Sequence, residues 1–140
     1  MKSLVQLLLC LVLMSPAYGS EAKWFFVSRT KSFASFIDVA FKHRQGDIVL
    51  TRDVYNYKEL KTTEDGLQKY RSVLGYVLYD CELNRSSILS MRFYAENFAR
   101  GDQVKFYHFK EPEWQDIKEN SIEEGVFEAA CNEVREAEVY

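Results

Sequence analysis

The side chains that could do chemistry are few in this sequence. His43 and His108 stand in separate segments of the 140-residue chain. Zinc needs three or four converging His, Cys, Asp or Glu ligands, so two scattered imidazoles read as surface residues rather than a metal centre. Glycines never cluster, which excludes a phosphate-cradling loop, and neither a nucleophile elbow nor a Cys–His signature occurs. Asp38, Asp80 and Glu82 are the carboxylates that could pair for acid–base work, yet a β-rich chain with 21 acids offers such pairs by chance. The sequence therefore assigns no catalytic, cofactor-binding or metal-ligating residue. An enzyme is not expected.

Redox chemistry is left to Cys10, Cys81 and Cys131. Their fate depends on where the chain goes. Lys2 gives a positive start, Leu4 to Met14 is an apolar run broken only by Gln6, and Ser15 to Gly19 is small and turn-prone. This is the pattern of a secretory signal peptide spanning residues 1–19, with cleavage between Gly19 and Ser20; the small-residue rule also fits a cut after Ala22. The apolar run is far short of the about 20 residues that a membrane-crossing helix needs, so no membrane span is expected. Cys10 lies inside the run behind three leucines, not at its end behind a small residue, so lipidation is not expected either. Removing the segment takes Cys10 and leaves two cysteines bound for an oxidising compartment, where Cys81 and Cys131 should join. Closing a loop of that length stabilises by roughly 4 kcal/mol in the chain-entropy account.

Composition sets the frame for these residues. The chain is 47% hydrophobic and 28% charged with 6 Gly and 2 Pro, which excludes a disordered tail, a collagen-like fibre and a low-complexity linker. Residues 20–140 are short enough to form a single domain. Charge is uneven: residues 20–110 hold 15 Lys+Arg against 11 Asp+Glu, and residues 111–140 hold 2 against 10. A basic sheet surface attracting an anionic partner is one reading; a solvated acidic helix beside a mildly basic body is the plainer one. Nucleic acid is not expected as a partner, because the chain is acidic overall and has no Lys/Arg stripe.

The elements read as strands followed by one helix. Residues 24–29 suggest a first strand. Residues 33–41 alternate, with Phe33, Ile37, Val39 and Phe41 on one parity, and a Gly46-Asp47 turn leads to a second run over 48–57, so the two make a hairpin. Residues 58–69 are polar and aperiodic and read as a long exposed loop. Ser72 to Cys81 is apolar on both faces, as a central strand would be, with Val73, Val77, Tyr79 and Cys81 on one side. Ile88 to Asn97 follows, with Leu89, Met91 and Phe93 on one face, and then Gln103 to Phe109. Pro112 ends the sheet. Ser121-Ile-Glu-Glu124 is a capping box that opens a helix whose Ile122, Val126, Ala130 and Val134 recur at spacings of four, with Cys131 on the same stripe. The expected fold is α+β: an antiparallel sheet of about five or six strands, with one C-terminal helix laid on it and tied by Cys81–Cys131.

Aromatic residues are abundant. Trp24, Phe25, Phe26, Tyr55, Tyr57, Tyr70, Tyr76, Tyr94 and Tyr107 exceed what one face of a small sheet can bury. They read either as a Tyr-rich contact surface or as a core covering both sides of a twisted sheet.

The ordered set Trp24, Phe36-Ile37-Asp38, Tyr70-Arg71-Ser72, Tyr79-Asp80-Cys81, Tyr94, Gly101, Trp114-Gln115-Asp116-Ile117, Ser121, Glu124 and Cys131 resembles the surface-adhesin protein E-like family of Gram-negative bacteria. The resemblance spans roughly residues 23–132. It implies an antiparallel sheet with one C-terminal helix joined by the two cysteines, and a non-enzymatic exported domain; the adhesin that gives the family its name is a surface lipoprotein that binds host matrix proteins. Two departures stand out: the lipidation cysteine is absent, and Lys118-Glu119-Asn120 replaces a proline expected between Trp114 and Ser121. Cys81 and Cys131 carry over, and no ligand-binding residue does. The expected function is an exported binding domain, periplasmic, secreted or surface-associated, that contacts a protein or glycan through its sheet and the 58–71 segment. The alternative is a periplasmic envelope accessory protein of the same fold with no adhesive role. An exposed edge strand could pair two copies, so a homodimer stays open.

Overall fold

The computed structural model describes residues 21–133. The signal segment, with the expected cleavage between Gly19 and Ser20, and Val134 of the helical stripe lie outside the described residues. Seven strands form one antiparallel sheet: β1 (Trp24–Arg29), β2 (Phe33–Gln45), β3 (Ile48–Thr62), β4 (Lys69–Asp80), β5 (Arg85–Tyr94), β6 (Gln103–His108) and β7 (Gln115–Asp116). Among the described residues a single helix follows, α1 (Ile122–Cys131). The first six strands are hydrogen-bonded in chain order, and β7 pairs with β5. Each neighbour pair among the first six strands is antiparallel and local in sequence, which suits short turns such as Gly46-Asp47, where Gly46 takes φ 60°.

The helix defines the two faces. Val126 and Ala130 are fully buried against Ile37, Val77 and Tyr79, with Phe25, Val27, Val39 and Phe127 packed around them. Burying a side chain such as Val126 contributes about 1.5–3 kcal/mol, and that is why the stripe fixes α1 on this side. The opposite, back face buries Val54 and Leu74. There Phe98 covers the sheet, packing on Phe36 at 4.9 Å and on Trp24 at 6.2 Å. Aromatic material therefore sits on both sides of the sheet.

Both ends of α1 are held by groups outside the helix. Ser121 Oγ accepts from the Glu124 N–H at 3.1 Å, and Glu124 Oε2 accepts from the Asn120 N–H at 2.7 Å. The acid thus reaches back one residue beyond the serine. The last turn has no basic residue of its own. Instead β2 supplies the cations: Lys42 Nζ donates to the carbonyls of Ala129 (3.0 Å) and Asn132, and Arg44 Nη1 donates to that of Cys131 at 3.0 Å. These satisfy carbonyls the helix leaves open and oppose its negative end. Cys81 and Cys131 are joined, with Cα atoms 5.7 Å apart, so the end of α1 is tied to the end of β4. Ser121→Ala should cost about 1 kcal/mol of stability, visible as a small drop in denaturant midpoint with an unchanged slope.

The structure corrects the sequence reading in four places. Residues 58–69 are not a long loop: β3 runs on to Thr62 and β4 starts at Lys69, so the hairpin tip is only residues 63–68. The β2–β3 register breaks between Ile37 and Lys42, and this turns Phe41 away from α1 onto the back face, where it meets Tyr76 at 5.6 Å. In β5, Tyr76 pairs with Ser90 and Val77 with Ile88, leaving Leu89 as the extra residue of a bulge. Ile88, not Leu89, therefore shares a face with Met91 and Phe93. Pro112 does not end the sheet, because Gln115 and Asp116 pair with Ser86 and Arg85.

Candidate functional site

Odd-numbered residues face α1 from Val49 to Tyr57 on β3 and from Val73 to Tyr79 on β4; beyond a register break after Asn56, Tyr70 joins the same face. The helix covers only one end of that surface. The rest forms a groove of about 780 Å³. Its floor is a belt of rings crossing five strands. Phe33 on β2 meets Tyr57 on β3 at 5.7 Å, Tyr57 meets Tyr70 on β4 at 5.7 Å, Tyr70 meets Phe93 on β5 at 4.9 Å, and Phe93 meets Tyr107 on β6 at 5.7 Å. Most contacts are edge-to-face, the arrangement the ring quadrupole favours. Strand pairing sets the belt: Phe33 lies opposite Tyr57, Val73 opposite Phe93, and Met91 opposite Tyr107. Each ring is half-buried, with one side packed on its neighbour and the other open.

The rim carries both signs of charge. Lys61 lies over the Tyr57 ring at 5.6 Å and Lys105 over Tyr107 at 5.2 Å. Lys105 also pairs with Asp65 at 3.0 Å. Asp65 sits in the 63–68 tip, where its carboxylate accepts from the Leu67 N–H and the Thr63 hydroxyl. These bonds hold the Asp65 carboxyl down at about 2. The ion pair ties the β3–β4 tip to β6. Glu64 and Glu123 share the lining with Lys105, so the groove is not the basic surface that charge counting offered.

Near α1 the floor holds an acid. Asp53 is 1% exposed. Tyr79 Oη donates to its Oδ2 at 2.6 Å and Thr51 Oγ1 to its Oδ1 at 2.8 Å. Burial outweighs both hydrogen bonds and pushes the carboxyl up to about 7. The same burial, with Asp53 close by, raises the Tyr55 and Tyr79 hydroxyls above their ordinary range. At the helix N-terminus Glu123 accepts from the Ser86 hydroxyl.

The carboxylates singled out in the sequence are not brought together as a pair. Asp38 is fully buried on the back face, ion-paired with Arg52. Asp80 pairs with Arg85 at 3.0 Å in the β4–β5 turn, where the Leu83 N–H and Arg85 hold its carboxyl below the usual range. Glu82 is exposed in that turn. His43 and His108 are exposed on β2 and β6, packed on Phe41 and Phe106. Of the aromatic residues weighed as a contact surface, Tyr55, Tyr57, Tyr70 and Tyr107 line the groove; Trp24, Tyr76 and Tyr94 line a smaller pocket on the back face. Sequence reasoning missed Asp53. Its signal was an acid in register with Thr51 and Tyr55 on the face that β3 turns to the helix.

A sequence profile of the family described as Surface-adhesin protein E matches residues 24–132. No curated protein sequence matches the chain. Among solved structures, crystal form II of Haemophilus influenzae protein E is similar with a TM-score of 0.57 at 14% identity, over 75% of this chain and 91% of that one. Another structure of that protein gives 0.54 at 14% identity over 75% and 87%. Protein E from non-typeable Haemophilus influenzae gives 0.51 at 16% identity over 75% and 74%. At these identities the likeness is one of fold.

Proposed function

The chain belongs to the surface-adhesin protein E family, and from that premise we propose that it is an exported, non-enzymatic binding domain whose groove beside α1 takes a segment of a protein or glycan ligand. Residues 1–19 are the leader, cut between Gly19 and Ser20, and residues 20–140 are one domain. The observation that carries the reading is the five-ring belt from Phe33 to Tyr107. Half-exposed Tyr and Phe rings, locked by their neighbours, offer large contact area at little cost in side-chain entropy. A core-only role leaves unexplained why the helix stops short of them. No helix among the described residues is long and apolar enough to cross a membrane.

Tyr70 sits at the centre of the belt, touching Tyr57 and Phe93. Purified domain should bind at least one member of a panel of immobilised host matrix proteins and glycans. Tyr70→Ala should weaken that binding by about 2 kcal/mol, roughly thirtyfold, with the fold checked by circular dichroism. Binding indifferent to Tyr70→Ala would move the contact off the groove. Binding to nothing on the panel, together with protection from protease in intact cells until the outer membrane is opened, would turn the assignment to an envelope accessory role.

A further inference from the structure

The back face holds a second, smaller pocket of about 320 Å³, and two arginines enter it. Arg52 on β3 lies opposite Tyr76, and Arg92 on β5 lies opposite Leu74, so the two residues stand diagonally across β4. Arg52 is stacked on Phe41 at 4.6 Å and Arg92 on Tyr76 and Phe106 at 5.5 and 5.1 Å. Trp24, Tyr94 and Phe98 complete the walls.

The charges do not cancel. Asp38 neutralises Arg52, and it is already engaged by the backbone N–H groups of Lys23 and Ala40, each at 3.0 Å. Among the described residues no acid pairs with Arg92. The Nε atoms of both arginines are buried and meet no acceptor. Buried donors are rarely left so, and here two belong to residues that line one pocket.

The wall is built at a cost in backbone strain. Phe98 and Ala99 both take left-handed conformations, φ 57° and 54°, which side chains with a Cβ disfavour. They are held there by the sheet: Asn56 Oδ1 accepts from the Phe98 N–H at 2.7 Å and Ser72 Oγ from the Ala99 N–H at 3.1 Å. Strain of this kind persists where its surroundings enforce it, and it gathers at ligand clamps.

We propose that this pocket is a second binding site, distinct from the groove beside α1, for a single carboxylate carried on a flat or ring-shaped body. A net charge of one favours a monoanion. The guanidinium fork matches a carboxylate edge, and the Trp24, Tyr76 and Tyr94 rings supply faces for the body to stack on. A sugar acid and an aromatic acid share this chemistry. The two are separated by titrating the protein at fixed ionic strength with glucuronate and with benzoate, against glucose and benzyl alcohol, while following the indole N–H resonances. The Trp24 signal should shift saturably with one acid or both and not with the neutral compounds, while Trp114, stacked under Arg85 away from the pocket, stays still. Which acid binds identifies the body. Arg92→Gln should weaken binding at least tenfold, and Arg92→Lys, which keeps the charge without the fork, should fall between. No saturable Trp24 shift by about 50 mM, equal shifts with the neutral compounds, or undiminished acid binding in a folded Arg92→Gln would overturn the proposal. Should Arg92→Gln fail to fold, the wild-type titration against the neutral compounds decides alone.

Discussion

Cys131→Ser is expected to lower the melting temperature by roughly 10–20 °C. The Cys81–Cys131 bridge closes a loop with a sequence separation of 50, worth about 4 kcal/mol in the chain-entropy account. For a domain near 100 residues each kcal/mol moves the melting temperature by about 4 °C or somewhat more. The native geometry favours the full effect. Cys81 sits at the end of β4, where its N–H donates to the Asp47 carbonyl at 2.8 Å, so one anchor is fixed by the β2–β3 turn. Cys131 is the last residue of α1, whose final carbonyls are already held by Lys42 and Arg44. The bridge therefore joins two points that other contacts place, and its loss should act mainly by freeing the unfolded chain. Melting with and without reductant, on the wild type and on Cys131→Ser, checks this. The wild type should fall to the variant's value under reductant, and the double variant with Cys81→Ser should match the single one, because both remove the same bond. Equal melting of oxidised and reduced wild type would mean that packing of Val126 and Ala130 alone holds the helix.

The fold was legible where one local signal sufficed. Ser121 and Glu124 marked the helix start, Gly46-Asp47 marked a turn, and the two-sided apolar run of Ser72 to Cys81 marked a central strand. The sequence was silent where pairing, not pattern, made the structure. Lys58 to Thr62 has no apolar alternation, yet it extends β3 because Lys61 and Thr62 find Tyr70 and Lys69 across the hairpin. Gln115-Asp116 is too short and polar to announce a strand, and it becomes one only because Ser86 and Arg85 offer an unpaired edge. The site suffered in the same way. The ring types were visible, but an odd number of extra residues, three in β2 and one in β5, inverts the side chains beyond it. The register break after Ile37 sends Phe41 to the arginine pocket, and the bulge at Leu89 brings Ile88 to the groove. Neither shift has a Gly or Pro to betray it.

Asp53→Asn should change how stability depends on pH more than any other single substitution on the groove. The Asp53 carboxyl is raised from an ordinary 3.8 to about 7 because burial penalises its charge more than Tyr79 and Thr51 favour it. An acid raised on folding binds its proton more tightly in the native state, so stability falls as pH rises while the two states differ in protonation. That window runs from about pH 4 to about pH 7. Below it both states are protonated and the group costs nothing; above it the full cost is present, on the order of 4 kcal/mol at 1.36 kcal/mol per unit. Asp65 and Asp80 behave in the opposite sense, since their carboxyls are held low and lose stabilisation only as pH falls through the acid range. Subtracting the Asp53→Asn curve from the wild type removes those shared contributions. The difference in unfolding free energy, read from urea titrations at pH 4.5 and pH 8, should shift by a few kcal/mol against the wild type at the higher pH. Tyr79→Phe offers a check on cause: without the phenolic donor the carboxyl should rise further, and the window should move upward. Parallel curves for wild type and Asp53→Asn would mean that water reaches the carboxylate, and the floor of the groove would then be wet and charged at neutral pH rather than dry and half-protonated.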